Sequence, residues 1–269
     1  MISGILIGSL LVLNTSRWPI AWLGLELNLI SFVPAAINNE KNKKPAMTYF
    51  IAQRCGSLII LLGGLILDMS LLSKAVIITG IILKIGLIPL HYWVPLIANS
   101  LKNFFLYILL SWQKIAPLSI LCLYFLKNNL IPFFNALAGA LIILSITIIP
   151  LLLIFRGIIQ ISWIINLERR FLIYYTSLYF LILGIVIIYF KNGGINFRWA
   201  LLNAGGLPPL TGFIIKLKAI LRIKNWIASL LIAARGIALT SYSRFLVNSK
   251  FFDKSFKPLL LITSTLGIV

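Results

Sequence analysis

The chain has 269 residues, 24 of them Lys or Arg against 5 Asp or Glu, and is 61% hydrophobic and 11% charged, with a mean hydropathy of +1.05. That composition excludes a soluble globular domain and places the chain with polytopic membrane proteins. The net charge of +19 does not imply nucleic acid, because the basic residues are scattered through short connectors and apolar segments and form no single basic face or tail.

The first fourteen residues are apolar, without a basic start or a small-residue cleavage site, so insertion without a cleaved signal is predicted. Crossing the hydrocarbon takes about 20 helical residues. The sequence predicts eleven spans: 2–14, 18–37, 46–67, 75–100 with a break, 104–126, 131–147, 149–166, 170–190, 196–221 with a break, 225–247 and 258–269. No long linker or composition shift divides them, so residues 1–269 are read as one transmembrane domain. In this count the connectors 38–45, around Lys102, 191–198 and 249–257 share one side. The opposite connectors hold Arg17, Lys74, Lys127, Arg169, Arg170, Arg222 and Lys224. The slight excess on the first side places the N-terminus internally. Cys55 and Cys122 fall within apolar spans and are predicted to be packed thiols.

Two spans carry the same interruption. Gly86-Leu87-Ile88-Pro89-Leu90 is echoed by Gly206-Leu207-Pro208-Pro209-Leu210, with Lys84 before the first break and Lys216 after the second. Paired Gly/Pro-interrupted segments in two halves of a membrane protein point to a transport site. The breaks lie in the fourth and ninth spans, so the motif crosses the membrane in opposite directions, as an inverted repeat requires. Each break frees carbonyls that must face protein or water, never lipid. The interruptions are predicted at 87–91 and 205–212.

Of the five acids, Glu26, Glu40, Asp68, Glu168 and Asp253, only Glu26 lies deep in an apolar span. It is either a neutral, hydrogen-bonded core residue or the partner of a buried lysine. Lys84 sits about ten residues into its span, roughly 15 Å of helix from the nearest connector and beyond easy snorkelling. Lys114, three residues before Pro117, is as deep. Each lysine has a structural alternative, capping the carbonyls of a broken helix. Lys218 and Arg222, four apart near a span end, read as snorkelled anchors. Glu26, Lys84, Lys114 and Lys216 form a set whose protonation neighbours can swing, which is proton-relay chemistry. His91, at the first break, either joins the relay or hydrogen-bonds the broken helix. No metal-ligand spacing and no phosphate-cradling glycine run is found.

Four motifs in order, Trp22-Leu-Gly-Leu-Glu26, Lys84-Ile-Gly-Leu-Ile-Pro-Leu-His-Tyr-Trp-Val-Pro95, Ser111-Trp-Gln-Lys-Ile-Ala-Pro-Leu-Ser119 and Gly205-Gly-Leu-Pro-Pro-Leu-Thr-Gly-Phe213 followed by Lys216, resemble the subunit 2 family of mitochondrial NADH:ubiquinone oxidoreductase, respiratory complex I. The resemblance runs from Trp22 to Tyr242-Ser-Arg244. It implies an all-α polytopic fold of about eleven helices, with antiporter-like inverted repeats and two discontinuous helices. It further implies a proton-translocating subunit in the mitochondrial inner membrane. Glu26 and Lys84 would be the interacting pair of the first half-channel, Lys114 the central relay and Lys216 the lysine of the second. NADH, FMN, iron–sulfur clusters and ubiquinone would belong to other subunits. Its implied partners are membrane-arm and accessory subunits and lipids, cardiolipin among them, with no nucleic acid.

The chain departs from that pattern in its middle. The family's Gly-Gly-Leu-Asn-Gln run is not recognisable around 142–152, Gln160 stands where histidine is expected, and Arg54, Arg156 and Arg235 add charge at positions usually apolar or small. These arginines are predicted to face partner subunits, polar cavities or headgroups, since a bare guanidinium toward acyl chains costs at least about 2.5 kcal/mol. Two other readings fit the residues: a cation/proton antiporter subunit of the same fold, and a non-conducting structural spacer.

Overall fold

The computed structural model describes residues 2–15, 17–39, 43–65, 71–124, 130–146, 148–190, 194–208, 210–223 and 226–248. Glu40, Asp68, Asp253 and the predicted last span, 258–269, lie outside them. The described residues form thirteen helices and no strand. They are α1 (Ile2–Asn14), α2 (Trp18–Asn39), α3 (Lys44–Leu65), α4 (Leu71–Ile85), α5 (Trp93–Ala98), α6 (Asn103–Leu110), α7 (Trp112–Tyr124), α8 (Leu130–Leu144), α9 (Ile149–Ile165), α10 (Arg169–Phe190), α11 (Gly194–Gly205), α12 (Thr211–Arg222) and α13 (Trp226–Asn248). Three stretches among them are long and apolar enough to cross a membrane, Lys44–Leu65, Asn103–Cys122 and Phe171–Phe190.

The outside of these helices is apolar. Leu62, Ile173, Ile188 and Leu221 are 57, 73, 69 and 86% exposed, whereas a protein dissolved in water turns polar side chains outward. Lipid is the solvent in which such helices satisfy every backbone group internally and leave leucines and isoleucines outside. The contacts gather into two compact units, residues 1–128 and 129–269.

In the first unit α1 packs along α2 and α3 along α4, while α7 touches α1, α2 and α4. The α3–α4 seam is built on small residues. A Cβ on Gly80 would come within 2.9 Å of the Gly56 carbonyl, and one on Gly56 within 2.9 Å of the Lys84 side chain. Backbones approach this closely only without side chains between them, and the approach lays the Lys84 stem against α3. In the second unit α8 packs on α9 and α13, and α11 touches α10, α12 and α13.

Both predicted interruptions are present, the first over residues 86–92 and the second between the end of α11 at Gly205 and the start of α12 at Thr211. The second is narrower than predicted, because Gly205 still ends α11 and Thr211 already starts α12. Gly86 and Gly206 adopt φ +75° and +81°, the left-handed conformation that ends helices and favours glycine. Leu87 N–H bonds back to Ile82 O at 3.0 Å, and Leu207 N–H to Leu202 O at 3.3 Å, the six-to-one closure of a Schellman turn.

Two other expectations are met only in part. The predicted span 104–126 is present as the stretch Asn103–Cys122, but it turns at Ser111, where α6 ends and α7 begins. At Ser111 (φ −112°, ψ −77°) the hydroxyl and the N–H both use the Tyr107 carbonyl, at 2.6 and 2.9 Å. Such a hydroxyl competes with the backbone for its own turn, and Pro117 further weakens the hydrogen-bond ladder of α7. Cys122 is buried as predicted, but Cys55 is exposed, because the buried face of α3 carries Ala52, Gln53, Gly56 and Ser57 and Cys55 points away from it.

Candidate functional site

The charged interior of the first unit is assembled by α2, α3, α4 and α7. Glu26 is 5% exposed, Lys84 4% and Lys114 6%, so three ionisable groups lie out of reach of solvent. The direct partner of Glu26 is Arg54, whose Nη1 donates to Glu26 Oε2. The resemblance implies Lys84 as the residue that interacts with it, directly or through one water. Glu26 and Arg54 are the charges whose fields reach Lys84, so Lys84 belongs to the same electrostatic cluster without being the contact partner. Arg54 makes the contact because α3 packs against α2 and brings the guanidinium within reach of the carboxylate.

Arg54 was legible as an intramembrane charge, but its pairing was missed. The signal existed. Glu26 lies 13 residues before the end of α2 at Asn39, and Arg54 lies 10 residues after the start of α3 at Lys44. Across a short hairpin that places them within about one helical turn of the same depth. Arg54 also lies 5.9 Å from the centre of the Phe50 ring. Glu26 Oε1 is buried with no hydrogen-bond partner among the described residues, so half of the carboxylate remains to be used.

At the first break the freed carbonyls are met by neutral donors. Trp93 Nε1 donates to Leu83 O at 3.0 Å, and Gln53 Nε2 to Lys84 O at 2.9 Å. His91 is half-buried in the turn, and its carbonyl accepts from Val94 N–H at 3.0 Å as α5 begins. Lys114 stands in the first turn of α7, just past the interruption at Ser111. Its flanks are tied down, because Trp112 Nε1 donates to Ser9 Oγ at 3.1 Å and Gln113 Nε2 to Asn28 Oδ1 at 3.0 Å. A lysine held beside fixed neighbours is positioned by the fold and not by its own flexible stem.

The second unit builds a different environment around Lys216, which is 8% exposed. Lys216 Nζ donates to Gly205 O at 3.0 Å and Ala204 O at 3.5 Å. Arg156 Nη2 donates to Ala204 O at 2.9 Å, and Arg235 Nη2 donates to Gly206 O. Three cations therefore cap three consecutive carbonyls of one broken helix. Arg156, 6% exposed, lies 6.0 Å from the Tyr179 ring centre, and Arg235 lies 5.4 Å from that of Phe213. Of the surroundings predicted for these arginines, Arg156 and Arg235 take the polar cavity. It holds about 20 Å³ and is lined by both, with Gln160, Lys216, Gly205 and Tyr242 among its other walls. Gln160 in turn donates to Tyr175 Oη.

No protein-family model matches the chain. Curated relatives do. The chain is 29% identical over 284 residues to the NADH-ubiquinone oxidoreductase chain 2 of Lumbricus terrestris, covering 92% of this chain and 85% of that one. It is 30% identical over 291 residues to the protein of the same name from Anopheles gambiae, covering 91% and 84%. Among solved structures, it resembles a chain of respiratory complex I from Thermus thermophilus with TM-score 0.80 at 18% identity, over 98% of this chain and 74% of the other. It also resembles a chain of the Mrp complex from Dietzia sp. with TM-score 0.80 at 13% identity, over 94% and 60%.

Proposed function

The chain belongs to the NADH-ubiquinone oxidoreductase chain 2 family and is a proton-translocating membrane subunit of that multi-subunit enzyme, and we propose that its relay consists of Glu26, Lys84, Lys114 and Lys216. The observation that carries this reading is burial: each of the four is at most 8% exposed in a multi-pass membrane protein, where an ionisable side chain is costly and is kept for ion movement or for helix-to-helix contact. Glu26 and Lys84 act as the coupled pair of the first half-channel. Arg54 holds one carboxylate oxygen, and Oε1 is left for an incoming proton or water. Lys114 is the intermediate acceptor and Lys216 the terminal one, while His91 is an optional member at the first break.

On this reading residues 1–269 work as one antiporter-like transmembrane domain in the mitochondrial inner membrane. It is joined by membrane-arm and accessory subunits and by lipids, cardiolipin among them, and it binds no nucleic acid. The redox chemistry, with NADH, FMN, iron–sulfur clusters and ubiquinone, resides in other subunits of the complex. Family membership favours this over a cation/proton antiporter subunit, although the fold serves both.

A second reading applies to Lys216 alone. Its hydrogen bonds to Gly205 O and Ala204 O are those of a structural cap on a broken helix. The intact complex carrying Lys114→Met or Lys216→Met, reconstituted in liposomes, separates the two. If the relay reading holds, each assembled variant oxidises NADH with a lower proton-to-electron ratio. A wild-type ratio in an assembled Lys216→Met complex would leave Lys216 as a cap only, and the same result for both variants would make the subunit a non-conducting spacer.

A further inference from the structure

The cavity at the second break is lined by donors in excess. Arg156 Nη1, Arg235 Nε and Tyr242 Oη are each buried without a hydrogen-bond partner among the described residues, and all three residues line the same space of about 20 Å³, together with Lys216. They come from three different helices, α9, α12 and α13. Among the described residues of this unit the only carboxylate is Glu168, which is exposed at the start of α10. Three cationic side chains thus line one pocket, met among the described residues by three backbone carbonyls and by the faces of Tyr179 and Phe213.

A space of this size admits one water-sized species. One water accepts about two hydrogen bonds and brings no charge, while the orphaned groups are two guanidinium N–H donors and a phenol. A monatomic anion accepts from every donor at once and offsets charge in a place where unpaired cations are costly. We propose that the cavity bounded by Arg156, Lys216, Arg235 and Tyr242 is a halide-sized anion site, filled by chloride under ordinary conditions. The anion would let Lys216 carry its proton beside two arginines. That consequence rests on the relay reading, whereas binding itself does not.

The test uses crystals of the assembled complex exchanged into bromide, with anomalous scattering recorded at the bromine edge. A peak inside the cavity is expected in the wild type, absent in Arg156→Met and unchanged in the distant Lys218→Met. Should Arg156→Met fail to assemble, Tyr242→Phe removes one neutral donor and should lower the apparent bromide affinity about threefold, as one lost hydrogen bond implies. An empty wild-type cavity would overturn the proposal, as would a peak insensitive to both Arg156→Met and Tyr242→Phe, which would mark an adventitious ion only. In liposomes, proton pumping should fall several-fold when chloride is replaced by gluconate. A bromide peak that behaves as expected with pumping indifferent to halide would uphold the site and remove Lys216 from the relay.

Discussion

At both breaks a glycine with positive φ closes the preceding helix through a six-to-one hydrogen bond, yet the carbonyls released there meet opposite company. At the first, Trp93 and Gln53 supply neutral donors, and Lys84 sits within the fields of Glu26 and Arg54. At the second, Lys216, Arg156 and Arg235 supply the donors themselves. One local motif therefore supports two electrostatic designs. Where neutral groups cap the break, the lysine is not needed as a cap; where cations cap it, the lysine does structural work as well.

The largest separation between the breaks is expected from Lys84→Met and Lys216→Met compared side by side. Both should lower redox-driven pumping, measured as proton-to-electron ratio in liposomes. Only Lys216→Met should also lower the thermal disassembly midpoint of the complex, because it deletes charged hydrogen bonds worth about 1.5–3 kcal/mol each. Equal thermal shifts in the two variants would erase the distinction.

Arg54→Met tests the first break's acid from the other side. It strips the buried Glu26 of its ion-pair partner, and since Arg54 is 45% exposed the loss should stay near the low end for broken pairs, about 1–3 kcal/mol. Arg54→Lys should recover most of it, and the midpoints of thermal disassembly of the two variants check this. Gly206→Ala and Gly86→Ala should each cost about 1–2 kcal/mol from the left-handed conformation. Gly206→Ala should cost more, because its Cβ would meet the Gly212 carbonyl at 3.0 Å and the Arg235 guanidinium at 2.9 Å, whereas the tightest contact at Gly86 is a movable Val94 methyl. The same thermal assay ranks them. Smallest is Gln53→Leu, which leaves Lys84 O without its donor and should cost about 1 kcal/mol with pumping nearly intact.

Much of the candidate site could be located from the chain alone, and the failures share a cause. Glu26, Lys84, Lys114 and Lys216 were singled out because each interrupts an apolar run at a depth no snorkelling side chain escapes, and each is buried. The glycines of both breaks were legible because Gly-Leu-x-Pro-Leu is a local signal. What was not legible depends on which helix lies beside which. Arg54 as the partner of Glu26, Trp93 and Gln53 as caps, and the convergence of Arg156 and Arg235 on the second break all require side chains separated by tens of residues to meet. The interruption at Ser111 was missed for a related reason, since Trp112 and Gln113 are anchored to α1 and α2, and no feature of 104–126 announces those tethers.

Hydropathy and the Gly/Pro interruptions by themselves determined that this is a helical membrane protein with two broken spans and four deep ionisable residues, because lipid leaves a backbone few alternatives and a buried charge no easy exit. Only the tertiary structure decided which charges neutralise one another. A hydrogen bond or ion pair acts over a few ångströms, and the packing of α2 against α3, and of α9 and α13 around α11 and α12, sets which donors fall within that reach of Glu26 in one unit and of the Gly205 carbonyl in the other.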